Sequence, residues 1–115
     1  MKKIKIILGY NKHYSVDVEE SHKAYYLFVN PESRAVFKDG TAIRGKDIMG
    51  IEPDYHAIFG WNESHRMDGD DWNEVNRSAE CKELKASLVD AKLLAQNEDL
   101  IGLPLSEAKQ KMLTA

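Results

Sequence analysis

Asp54, Glu63 and His65 fall in one short stretch, and by residue type they are the set in this chain best suited to metal-assisted chemistry. Two carboxylates can hold a divalent cation while a third group positions the attacking water. His56, His65, Asp68 and Asp70 offer a second collection, of the imidazole and carboxylate ligands that suit zinc or manganese. Their spacing argues against a built site. No two histidines stand at i, i+4, and Gly69 falls between two of the acids instead of at the sixth position of a calcium loop. A solvated acidic loop accounts for the same residues, so no metal and no cofactor is expected.

Pro53-Asp54 followed by Glu63-Ser64-His65 resembles the PD-(D/E)xK nuclease pattern, with His65 where that pattern carries a lysine. The resemblance implies a metal-dependent nuclease-like enzyme using Asp54, Glu63 and His65. The competing interpretation is that Pro53-Asp54 ends a strand and opens a turn. Elsewhere the chain shows no Gly-rich phosphate loop and no Ser-His-Asp ordering. His13 and His22 fall in or near expected turns with no nucleophile paired to either, and Cys81 suits a small core residue.

Trp61 and Trp72 stand at the start and in the middle of an acidic run, and without interleaved Arg or Lys they suit core anchors better than a platform for a base or sugar. Residues 62 to 80 hold Glu63, Asp68, Asp70, Asp71, Glu74 and Glu80 against Arg66 and Arg77, a balance of 2 − 6 = −4. Aromatic anchors beside carboxylates suit recognition of a basic protein surface, because charge steers the encounter and the rings supply buried area. Trp61, Asp68, Asp70, Asp71 and Trp72 are therefore the expected binding residues.

The elements that must position these groups follow from local pattern. "KIKIIL" alternates and then turns fully apolar, as a strand passing into a core does. A polar turn is expected at Asn11 to His13. A helix is expected from about 18 to 29, with Ser15 or Asp17 as its cap and Glu19 and Glu20 in its first turn. Asp39-Gly40 between "AVFK" and "TAIR" predicts a two-residue hairpin with Val36 facing Ile43. A second reversal at Gly45-Lys46 leads into "DIMGIE", which Pro53 closes, giving a three-stranded meander. Asp70 or Asp71 is placed to cap one long helix running to about Gln96, and Ser106 a last short one.

The fold expected is α+β: a small antiparallel sheet, made of the N-terminal strand plus the meander, packed by an N-terminal helix and a long C-terminal helix. Its 115 residues make one domain, with an α+β core over 1–62, an acidic loop over 63–72 and a helical part over 71–115. The long helix carries an apolar face too wide for one small sheet, so Leu84, Leu88, Val89 and Leu93 are expected to mediate self-association as a dimer.

The net charge of −3 and a pI near 5.8 make nucleic-acid binding a poor fit, although Lys2, Lys3, Lys5 and Arg44 could serve a nucleic-acid accessory role. "MKKIKIILG" is too short in its apolar part for a signal peptide or a membrane span. A single cysteine fits a reducing compartment, and the expected location is the cytoplasm.

The segment "YYLFVNPESRAVFKDGTAIRGKDIMGIEPDYHAIFGWNESHRMDGDDW" resembles a set of small uncharacterised proteins encoded by tailed phages and prophages. The likeness rests on an "F.(D/N)G.AI.G.DI..IEPDYHA..GWN" signature and extends more loosely to "LPLSEAKQ". It implies a viral origin and carries no catalytic residue. The expected function is therefore that of a non-enzymatic phage or prophage accessory protein that binds another protein, either a host or defence factor or a phage partner.

Overall fold

The computed structural model of the chain describes residues 3–9, 12–62 and 64–114. Lys2, Asn11 and Glu63 lie outside the described residues, and with them part of three of the expectations above. The fold is α+β, with a three-stranded and a two-stranded antiparallel sheet against a set of helices.

β1 (Lys3–Gly9) is the centre of the larger sheet, whose order is β2-β1-β5. Ile4 and Ile6 point into the core and are fully buried, as the period-2 pattern requires. β2 (Lys12–Asp17) returns directly as a hairpin, with Ile4 opposite Val16 and Ile6 opposite Tyr14. Lys12 and His13 are thus strand, not turn. Tyr14, Val16 and Val18 alternate with polar residues, a short signal that marks this strand in the sequence.

Asp17 then accepts from the Glu19 amide at 2.9 Å and opens a 3-10 turn, Val18–Glu20, that runs into α1 (Ser21–Val29). The aromatic "YYLFV" is helical because Tyr25 and Leu27 are buried in the core, and tertiary burial outweighs the β preference of those residues.

β3 (Arg34–Val36) and β4 (Ala42–Arg44) form the expected hairpin in a different register: Ala35, not Val36, faces Ile43. The loop has three residues. Phe37 donates its amide to the Thr41 carbonyl at 2.9 Å, and Gly40 donates to Phe37 at 2.9 Å with φ of 91°. A type I turn closed by a left-handed glycine takes in Lys38 and shifts the pairing by one residue. Phe37 is consequently buried, and Glu20 receives the Lys38 amide at 3.0 Å, which ties the loop to α1.

The meander does not form. Gly45 donates to the Ser33 carbonyl at 2.9 Å and Lys46 to Pro31 at 3.0 Å, so a 3-10 turn over Gly45–Asp47 is clamped beneath the end of α1. The chain is thereby turned away from β4. β5 (Gly50–Pro53) pairs instead with the free edge of β1, Ile51 opposite Ile6 and Pro53 opposite Ile4.

α2 (Tyr55–Phe59) follows at once, ending at Gly60 in the left-handed conformation. The single long helix is two helices, α3 (Gly69–Arg77) and α4 (Ala79–Leu94). Ser78 breaks it. Its backbone is extended and its hydroxyl accepts from the Cys81 amide at 3.2 Å, the geometry of an N-cap. α5 (Leu105–Thr114) closes the chain, and Ser106 lies inside its first turn, donating from amide and hydroxyl to Glu19 at 2.9 Å each.

One apolar cluster joins Ile4, Ile6 and Val16 of the sheet to Leu27 of α1 and to Leu84 and Leu88 of α4. Leu84 and Leu88 are thus consumed within the protomer, contrary to their expected place on a self-association face. Val89 and Leu93 remain 58% and 56% exposed. No helix among the described residues is long and apolar enough to cross a membrane.

Candidate functional site: an aromatic and acidic patch between α2 and α3

Asp54 is buried and both of its oxygens are engaged. Oδ2 accepts from the Ser15 hydroxyl at 2.6 Å, and Oδ1 accepts from the Ala57 amide at 3.2 Å as the N-cap of α2. Its own amide donates to the Lys3 carbonyl at 3.0 Å, continuing the β1–β5 ladder. This is the bonding of a structural residue at the junction of sheet and helix.

His65 is likewise committed. Its Nε2 lies 2.9 Å from Asp71 Oδ2, while its carbonyl oxygen is 2.8 Å from His56 Nε2. Among the described residues no group of three or more His, Cys, Asp or Glu is arranged to hold a metal ion. His56 and His65 do approach each other, with ring centroids 6.2 Å apart and edge to face.

The Trp61 ring lies between these two histidines and Phe59. It stacks on Phe59 at 5.1 Å, tilts over His65 at 4.7 Å and meets the edge of His56 at 6.1 Å. A stack of this kind fixes the loop that leaves α2, since offset and edge-on ring pairs are attractive and resist sliding. Trp61 was expected as an outward anchor, and the structure makes it half-buried and partly a support for His65.

Asp68 and Asp71 form a capping box at the start of α3. The Asp71 amide donates to Asp68 Oδ1 at 2.9 Å, and the Asp68 amide returns to Asp71 Oδ2 at 3.2 Å. Asp71 is held below the ordinary carboxylate range by that amide and, next, by the His65 ring. Asp68, not Asp70 or Asp71, is therefore the cap. Asp70 is exposed and takes no part in the box, which leaves it the acid best placed to meet a partner.

Trp72 is 43% exposed and rests edge-on against Tyr55 at 5.4 Å. Of the five expected binding residues, Trp61, Asp68 and Asp71 are joined through His65, while Asp70 and Trp72 are exposed on the first turn of α3. Trp61 reaches Asp71 through His65, and Asp71 holds Asp68; Asp70 and Trp72, two residues apart in the first turn of α3, leave the helix on different sides. Tyr55, His56 and His65 touch these residues and were not among the expected binding residues. Their signal was the aromatic and imidazole density of residues 55 to 65, which only the α2 cap folds into a cluster.

Comparison with family models, with curated proteins and with solved structures gives no match.

Proposed function

We propose that the chain is a non-enzymatic phage or prophage accessory protein that works by binding a basic protein surface through Trp72 and Asp70 at the start of α3. The observation that carries this reading is the division of labour within the patch. Asp68, Asp71, His65 and Trp61 bond to one another and fix the shape, while Trp72 and Asp70 stay presented to solvent. An exposed aromatic anchor and an exposed carboxylate on a helix start whose shape is already fixed suit a protein hot spot, because little ordering remains to be done on binding.

Viral origin is supported by the resemblance of the 24 to 72 segment to phage and prophage proteins. Acidity supports a basic protein partner over nucleic acid. The binding test immobilises the wild-type chain and the Trp72→Ala and Asp70→Lys variants over lysate of a candidate host. The expected result is a protein retained by wild type, released by raised salt, and lost with both variants. Cleavage of DNA or RNA with added magnesium or manganese, abolished by Asp54→Asn, would overturn the reading in favour of the nuclease-like alternative.

A further inference from the structure

α4 is apolar on two opposite faces. Cys81, Leu84, Leu88, Ala91 and Ala95 make the inward seam and are buried. Ala86, Val89 and Leu93 follow the same spacings of three and four on the opposite side, with Lys82 one turn ahead and Gln96 just past the helix end, and all five are exposed. Spacings of four and three are the signature of a helix that packs along its length against another helix, and among the described residues α5 borders this second seam at Leu93 but leaves Val89 and Leu93 more than half exposed.

We propose that a second copy of the chain covers this face, the two α4 helices running parallel about a two-fold axis beside Val89. Charge placement selects both the occupant and its direction. With Ala86 and Leu93 at positions a and with Lys82 and Val89 at positions d, Lys85 and Lys92 occupy the g flank, Glu83 and Asp90 the e flank. In a parallel pair each g residue meets the e residue five positions later on the partner, so Lys85 of each copy meets Asp90 of the other. An antiparallel pair would instead set lysine against lysine and acid against acid. The surface is thus complementary to itself in one orientation only.

The flanks repeat that logic in apolar form. On the lysine side Phe28 and Val29, at the end of α1, join Lys92 and Gln96 around a shallow groove. On the acidic side Met112 and Leu113 of α5 join Leu93 and Asp90 around another, where Lys109 already bonds Asp90 at 2.9 Å. A parallel two-fold brings the α5 flank of each copy toward the α1 flank of the other, apolar against apolar. Phe28, Val29, Val89, Leu93, Met112 and Leu113 are six of the nine large hydrophobic residues that stand exposed among the described residues. Their concentration on one side gives the breadth that a dimer interface of roughly 800 Å² per partner needs.

Light scattering across a concentration series, with two variants, tests the proposal. The wild type is expected to reach twice the 13.1 kDa of one chain at high micromolar concentration. Leu93→Glu is expected to remain at one chain's mass with unchanged far-ultraviolet circular dichroism, since that side chain is half in solvent. Ala86→Cys under mild oxidation is expected to cross-link through its symmetry mate, with wild type, whose Cys81 is buried, as the control. In an antiparallel pair centred on Val89 the two introduced sulfurs are about 9 Å apart along the axis alone, beyond disulfide reach. A monomeric wild type, a Leu93→Glu dimer, or cross-linking by Val89→Cys without cross-linking by Ala86→Cys would each overturn the proposal.

Discussion

The Ser15 hydroxyl donates to Asp54 Oδ2 at 2.6 Å, joining the outer strand β2 to the cap of α2 across the sheet. One carboxylate therefore anchors two elements far apart in sequence. Asp54→Ala removes the cap and leaves the Ser15 hydroxyl without its acceptor, and each loss costs about 1 kcal/mol or more. Asp54→Asn retains an oxygen for the Ala57 amide and should cost less. Urea denaturation of the two variants is expected to order them wild type, Asn, Ala in stability. An Ala variant as stable as wild type would remove the structural role assigned to Asp54.

Two glycines close together in sequence are required for different reasons. Gly40 has φ of 91° with open space where a Cβ would stand, so Gly40→Val carries a backbone cost of about 1–2 kcal/mol. Gly45 has ordinary dihedral angles, yet a Cβ there would lie 2.2 Å from the Leu27 carbonyl oxygen and 2.6 Å from that of Asn30. Backbone oxygens cannot swing aside as a side chain can. Gly45→Ala is expected to destabilise more than Gly40→Ala in thermal melts, and the reverse order would contradict the clamp beneath α1.

That contrast shows where the sequence was legible. Gly40 announces itself, because Asp-Gly between alternating runs names a hairpin without knowledge of anything distant. Gly45 does not, because its requirement comes from the end of α1, fifteen or more residues earlier in the chain. The same boundary separates what was found from what was missed elsewhere. The α+β class and α1 follow from local composition and periodicity. The pairing of β5 with β1 and the one-residue register shift at Ala35 and Ile43 depend on long-range contacts. Ser78 is intermediate: a serine ahead of an amphipathic run is a known start signal, but here it sits inside a pattern that reads as continuous helix.

His22 is fully buried, with Nε2 3.0 Å from the Leu100 carbonyl and Nδ1 without a partner. Burial lowers its pKa, an effect that the Leu100 and Leu103 backbone and, less, the Glu19 carboxylate partly oppose and the Lys23 ammonium reinforces. Below pH 6.5 the unfolded histidine takes up a proton that the folded one resists, so the unfolded state binds more protons there. Stability is consequently complete above that pH and falls as the pH drops through it, by at most about 1.4 kcal/mol per pH unit. His22→Gln can still donate to the Leu100 carbonyl but cannot titrate. Melting temperatures at pH 7.5 and 5.5 should therefore differ more for wild type than for this variant; equal differences would show that His22 does not report on pH.

The patch between α2 and α3 predicts a separation of binding from stability that a uniform acidic surface would not give. Asp68 and Asp70 are two residues apart and both exposed, but only Asp68 holds the first turn of α3. Asp68→Ala should lower stability by about 1 kcal/mol, the ordinary cost of a lost cap, and affect binding through the mispositioned helix. Asp70→Lys should leave the melting temperature nearly unchanged and weaken retention of the basic partner, with a shallower dependence of the remaining binding on salt because one steering charge is reversed. Trp72→Ala should cost more stability than Asp70→Lys, since the ring is 43% exposed and rests edge-on against Tyr55, and should reduce binding at every salt concentration because it supplies area instead of charge. Calorimetric melts beside surface-immobilised binding at two salt concentrations distinguish the three. If Asp70→Lys and Trp72→Ala bind as wild type does, while Asp68→Ala alone is impaired, the patch is a structural corner of the fold and the binding face lies elsewhere.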